Sequence, residues 1–402
     1  MTAAEPGPDG PDGPRGPDGP DGPDAAGAGP DSTDGSPGPL RVSTLELFFD
    51  LVFAFTLTQL TAVLADGLNV VAVVRVLLIF GLLWWMYEGY AWLTNARPPV
   101  HATERLSLLA GMAGFLIVGL AIPRGFGGDA VTLGLGYLLV VVVHAFLYYR
   151  VNANIIRVAP FNICSALLII AAGLAGGAAR YPLWVAALVI QLGSPLIVHP
   201  RNLFDLRPDH MAERHSALLI VALGESVAAI GIGAAVLGGT GGRLVLSAVL
   251  GLALAAALWW IIFGQDDEER TARALSAAPR GQRTALALNA LFYGNAPVLL
   301  GLVAMATGVQ EAIAGSAHPL AGHPRAAAVL AVGAALFLAG DAAIRRLLGT
   351  GSTGWRLAGA AAALVTTAVG AVAGLDAQLA VLVAVLAVML LAEQRADSGT
   401  AG

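Results

Sequence analysis

The chain contains no lysine: all 22 of its basic residues are arginine. A Gly-x-x-x-x-Gly-Lys phosphate loop therefore cannot occur, and ATP-driven transport loses its usual motif. Cysteine is nearly as scarce, since the single Cys164 excludes any intramolecular disulfide. Its apolar surroundings predict a buried, inert thiol. Charge of either sign is also short. Only 12% of residues are charged, against roughly 25% in soluble domains. By contrast 57% are hydrophobic and the mean hydropathy is +0.74. A soluble globular chain is excluded, and the composition is that of a polytopic membrane protein.

The opening 40 residues are a separate object, low in apolar side chains and carrying eight acids against Arg15 alone. Residues 1–40 are expected to be a disordered acidic Gly/Pro/Asp-rich cytoplasmic tail. Their repeating Gly-Pro-Asp triplets have the period of collagen, but like charges in so few triplets oppose a triple helix. No charged n-region, apolar h-region and cleavage site precede the first span, so no signal peptide is expected. The formal net charge is −5. Removing the tail leaves the membrane part, residues 41–395, slightly positive, and residues 396–402 read as a disordered C-terminus.

From residue 45 onward, apolar runs of about 20 residues recur, each long enough to cross roughly 30 Å of hydrocarbon. About twelve spans are predicted, starting near Leu45, Val71, Leu106, Val131, Ile155, Leu183, Ala212, Leu244, Thr284, Ala326, Arg356 and Ala377. The fold class is all-α, a polytopic transmembrane helical bundle, with two six-helix halves as one arrangement open to it. With the N-terminus inside, 17 of the 22 arginines fall on the inner side, as cytoplasmic loops require. Both termini are therefore expected in the cytoplasm. The longest inner loop after the tail, Gln265 to Arg283, reads as a solvated connector.

Charges inside spans are the candidates for function. An ionised carboxylate in hydrocarbon costs several kcal/mol or more, so it normally faces a bundle interior or an aqueous cavity. Glu46 and Asp50 lie four apart in the first span, on one helical face. In His210-Met-Ala-Glu-Arg-His215, Glu213, Arg214 and His215 mark a membrane entrance. Glu225 lies about 16 Å deeper than Arg214, on the same face as Arg214, Leu218 and Val221. Gly224 beside it is expected to let another helix, an ion or water come close. Asp341 is a third deep acid.

The segments Val42-Ser-Thr-Leu-Glu-Leu-Phe-Phe-Asp-Leu-Val-Phe53 and Glu213-Arg-His215 through Ala222-Leu-Gly-Glu-Ser226 resemble the bacterial low temperature requirement A family of multi-pass membrane proteins. Glu104-Arg105-Leu106, Ile122-Pro-Arg-Gly-Phe126 and Phe292-Tyr-Gly-Asn-Ala-Pro-Val-Leu-Leu-Gly301 extend the likeness over residues 41 to 395. The resemblance implies a histidine near Asn295 in relatives, which this chain lacks. It implies no established substrate or reaction.

The expected function is movement of an unidentified small solute or ion across the bacterial plasma membrane, coupled to protons or ions. Glu225 would titrate or bind the ion, Asp50 and Glu46 would assist, and Arg214 or Arg105 would be the countercharge. For Glu46, Asp50, Arg105 and Arg214 the competing reading is an inter-helix ion pair that only fixes packing. A membrane-embedded enzyme acting on lipid, using Glu225 with Ser226 or His215, and a non-catalytic structural membrane protein remain as alternatives. Glu88, in Trp84-Trp-Met-Tyr-Glu-Gly-Tyr90, reads as a carboxylate reaching water through an interfacial aromatic belt. His144 reads as a neutral core histidine. His199, His318 and His323 have no metal-site spacing, so neither metal nor cofactor is expected. The lipid bilayer is the expected partner, nucleic acid is not, and the oligomeric state is open.

Overall fold

The protein is described as a computed structural model covering residues 42–151, 157–198, 206–235, 241–315 and 324–400, without the side chains of Leu196, Val198, Glu225, Asp397 and Thr400. The acidic tail, His199, His318 and His323 lie outside the described residues. The helices are α1 (Thr44–Gly67), α2 (Val70–Ala96), α3 (Ala102–Ala121), α4 (Ala130–Val151), α5 (Ala159–Ala175), α6 (Arg180–Val198) and α7 (Pro208–Ala235). They continue as α8 (Gly242–Phe263), α9 (Asp267–Ala277), α10 (Arg280–Ala287), α11 (Gly294–Ala314), α12 (Pro324–Leu348), α13 (Gly354–Ala373) and α14 (Leu375–Thr400). Counting α8 with α9 and α10 with α11 as one unit each gives twelve among the described residues. Ten of these are long and apolar enough to cross a membrane. The other two are α5, apolar but only 17 residues long, and α6, 19 residues with Pro195 inside.

The helices start where local chemistry directs. Ser43 caps α1 through a capping box, accepting from the Glu46 amide while donating its own N–H and hydroxyl to Glu46 Oε2 at 2.9 and 2.8 Å. Asn69 caps α2 in the same way through the Ala72 amide. Leu288–Tyr293 between α10 and α11 is π-helical, and Pro297 follows within the next turn. Proline returns no N–H to that turn. The Phe292 carbonyl there accepts instead from Trp84 Nε1, at 3.0 Å.

The two halves of the chain repeat one pattern of neighbours. In the first, α1 packs on α2 and α3, then α3 on α4, α4 on α5, α5 on α6, and α6 returns to α2. In the second, α7 packs on α8 and α11, then α11 on α12, α12 on α13, α13 on α14, and α14 returns to α8. The halves meet where α1 lies against α7 and α11 and α2 lies against α7. An even number of spans per half starts both halves at the same end of the bundle, the arrangement of parallel transporter repeats. Glycine permits the equivalent close crossings. A Cβ on Gly114 of α3 would meet the Val140 amide at 3.0 Å, and one on Gly301 of α11 would meet the Gly333 carbonyl at 2.6 Å and the Phe337 amide at 2.7 Å.

Several sequence expectations are corrected. The segment Gln265 to Arg283 is no solvated connector, because it contains α9 and the start of α10. Leu275 of α9 is fully buried in a second apolar cluster with Trp92, Leu206, Met211 and Leu291. Cys164 is exposed on α5 rather than buried, since an apolar side chain in a span has no need to avoid hydrocarbon. Trp84, Tyr87 and Tyr90 form part of the core, at 2%, 0% and 0% exposure, and are not an interfacial belt. Gly224 faces open space, with no atom within 4 Å of where a Cβ would stand, so no helix closes on it. Gly231 is equally open, whereas Gly233 does pack, against Ile313.

Candidate functional site

Two buried charge networks lie at the end of the bundle where α1 and α7 begin and α2, α12 and α14 finish. The first joins α1, α2 and α7. The capping box holds Glu46 Oε2, which turns Oε1 toward His210 Nε2 at 3.3 Å and Arg214 NH1 at 3.5 Å. One turn on, Asp50 Oδ1 receives the Tyr87 hydroxyl at 2.8 Å and Arg214 NH2 at 2.9 Å. The Arg214 guanidinium also lies 5.7 Å from the centres of the Phe49 and Tyr87 rings, a cation–π setting. Glu46, Asp50 and Arg214 are all 1% exposed or less. The second carboxylate oxygen of Asp50 has no hydrogen-bond partner, which leaves one strong acceptor unfilled.

Glu88 corrects the expectation of a carboxylate reaching water. It is 2% exposed, accepting from His215 Nε2 at 2.8 Å and Trp92 Nε1 at 3.2 Å. The other ring nitrogen of His215 faces the Met211 carbonyl at 2.8 Å. Both nitrogens therefore face acceptors, and a doubly protonated ring satisfies both. Asn95 at the end of α2 exchanges hydrogen bonds with the Arg207 backbone, and the Val42 amide donates to Glu213 at 3.0 Å. These contacts tie the entrances of α1, α2 and α7 together.

The second network joins α9, α12, α13 and α14. Asp341 Oδ2 accepts from Arg345 Nε at 3.1 Å and lies 3.2 Å from Arg356 Nε. Arg345 NH2 reaches Asp267 Oδ2 at 2.9 Å, and Arg356 NH2 reaches Glu393 Oε2 at 2.9 Å. Arg345 and Arg356 are 2% and 0% exposed, whereas Asp341 and Asp267 keep 13% and 21% of their side-chain surface. Between the two networks lies a cavity of about 60 Å³. It is lined by His215 and Ser216 of α7, Asp267 and Glu268 of α9, Asn295 of α11, and Asp341 of α12.

The predicted residues thus divide. Glu46, Asp50 and Arg214 come together as proposed from the sequence, and Asp341 belongs to the neighbouring network. Arg105 does not join either: it is exposed and donates to the Pro99 carbonyl, while its neighbour Glu104 pairs with Arg97 at 3.0 Å. The backbone of Glu225 continues α7, but its side chain is outside the described residues. His144 is buried between Tyr90 and Tyr148, with ring centres 5.1 and 5.0 Å away. Tyr87, His210, Asp267, Arg345, Arg356 and Glu393 were not singled out as site residues. The Asp341/Arg345 spacing of four was a usable signal. Nothing local reveals that Glu393 reaches Arg356.

Among the described residues, no group of three or more His, Cys, Asp or Glu side chains is placed to hold a metal ion.

Residues 41–392 match the family described as Bacterial low temperature requirement A protein (LtrA). An uncharacterized protein of Rhizobium meliloti (strain 1021) is 30% identical over 329 residues, covering 76% of this chain and 78% of that one. No solved structure matches.

Proposed function

The chain belongs to the bacterial low temperature requirement A family, and we propose that it is a proton- or ion-coupled transporter of a small solute or ion. In this reading it sits in the plasma membrane with both termini in the cytoplasm, following the arginine count. The observation that carries the reading is the cavity beside partly exposed Asp341 and Asp267. Carboxylates lining a cavity of about 60 Å³ at one end of the bundle give an ion or proton path a place to begin. The repeated six-helix halves support it, since paired repeats are frequent in secondary transporters. Glu225, deep on α7, is the group assigned to titrate or bind the ion. Glu46, Asp50 and Arg214 hold α1 against α7 at its entrance.

A structural role is favoured by a different observation, the near-complete burial of Glu46, Asp50 and Arg214. The lipid-enzyme alternative is weakened because both ring nitrogens of His215 are already engaged. Flux in proteoliposomes, followed with pH and potential dyes, separates these readings. The comparison is wild type against Glu225→Gln and Asp341→Asn at matched folded protein. Transport predicts wild-type flux that Glu225→Gln abolishes. A folded wild type that moves no proton or ion removes the transport reading and leaves the structural one.

A further inference from the structure

Where α2 ends, α3 begins and α4 ends, the three helices leave a shallow pocket that joins apolar to cationic side chains. Leu93, Leu108 and Leu147 form its buried apolar side. Arg97 and Arg150 line it as well, and both are exposed. Pro99 is a further wall, and its carbonyl accepts from Arg105 Nε at 3.1 Å. That bond holds a third guanidinium beside the pocket.

The charges there do not cancel. Glu104 is the one carboxylate among the lining residues, and Arg97 NH2 stands 3.0 Å from it. Arg105 spends only Nε, on a carbonyl, and Arg150 lies 5.8 Å from the Phe146 ring centre. Neither pairs with a carboxylate among the described residues. Three guanidinium groups against one carboxylate leave two positive charges. The volume of about 20 Å³ admits on the order of one water molecule, so an anionic group would sit at the mouth, between the arginines. Guanidinium meets phosphate oxygens with paired, charge-assisted hydrogen bonds.

The surroundings select where that phosphate comes from. Leu106 and Leu109, on either side of Leu108, are 65% and 40% exposed, and Phe146, next to Leu147, is 49% exposed. These side chains continue the apolar wall outward, as an acyl chain requires. The acidic tail of residues 1–40 offers charge but few apolar side chains to cover them. A basic pocket between transmembrane helices is a recognised seat for anionic lipid head groups. We propose that this pocket binds the phosphate head group of an anionic phospholipid, with Arg97, Arg105 and Arg150 around the phosphate and the acyl chains along α3 and α4. The site does not depend on the transport reading.

The test uses the purified full-length protein in a neutral detergent, mixed with equimolar phosphatidylglycerol and phosphatidylcholine of matched chains. Native mass spectrometry counts which lipid stays bound. At about fivefold for each arginine that lacks a carboxylate, the wild type should prefer phosphatidylglycerol on the order of 20- to 30-fold. Arg105→Gln and Arg150→Gln, both at exposed positions, should each lower that preference about fivefold, and together should bring it near parity. Arg273→Gln with Arg280→Gln removes two exposed arginines from α9 and α10 and should leave it unchanged. An equal loss in that control, or no preference in the folded wild type, overturns the site. So does full displacement of the lipid by inorganic phosphate at constant ionic strength, which would make it a free-phosphate site. A preference that emerges only when the eight acids of residues 1–40 are changed to Asn or Gln makes the tail the occupant and overturns the lipid reading.

Discussion

Replacing Arg214 with methionine keeps most of the side-chain volume and removes the charge that two buried carboxylates share. In the folded protein Arg214 NH2 stands 2.9 Å from Asp50 Oδ1. At an effective dielectric of about 20, that pair alone has a gross attraction of about 6 kcal/mol. Desolvation consumes part of this, so the measurable cost of removing one partner of a buried pair is about 3–5 kcal/mol. Glu46 is cushioned, because Ser43 and His210 still face it. Asp50, 0% exposed, retains only the Tyr87 hydroxyl. Arg214→Met should therefore lower the folding equilibrium by on the order of 10²–10⁴-fold, read by unfolding in mixed detergent–SDS micelles. The triple variant Glu46→Gln, Asp50→Asn, Arg214→Met leaves no buried charge in the trio and should recover at least half of the loss. Arg214→Met within about 1 kcal/mol of wild type would refute the reasoning. So would a triple variant no more stable than the single one.

Other outcomes follow from packing and hydrogen bonding. Gly301→Ala places a Cβ 2.6 Å from the Gly333 carbonyl, so it should cost about 1–3 kcal/mol. Gly281→Ala on α10, with nothing within 4 Å, should instead stabilise by up to about 1 kcal/mol; both are read in the same unfolding assay. Trp84→Phe keeps an aromatic ring, though a smaller one, and leaves the Phe292 carbonyl without its donor. The expected loss is about 1–3 kcal/mol, and an unchanged unfolding midpoint would show that the π-helical turn does not need this bond. Cys164→Ala alters only an exposed position on α5 and should change stability by no more than about 0.5 kcal/mol.

Much of the architecture was legible in the chain. Apolar runs of bilayer length place twelve helices, because the cost of exposing backbone polar groups to lipid leaves a helix as the one economical conformation for such a run. The pairing of Glu46 and Asp50 with Arg214 was legible for a related reason. Charges in hydrocarbon must find partners, and few were on offer near those helix ends. Glu88 misled because its place late in α2, among aromatic residues, suits a carboxylate at the water interface equally well. Its partner His215 is 127 positions away. Cys164 misled because apolar character does not separate a core position from a lipid-facing one.

The sequence by itself determined that the chain is a helical membrane bundle, which helix ends carry charge, and which family it belongs to. These depend on composition, run length and motif, all local quantities. Only the tertiary structure decided that α1 rests on both α7 and α11, that the acidic segment after α8 folds back as α9, and that Asp341 and Asn295 share one cavity. Those outcomes depend on which helix faces meet. In a bundle where almost every face is apolar, hydropathy does not rank the possible pairings. The choice falls to close glycine contacts and to buried ion pairs between distant residues.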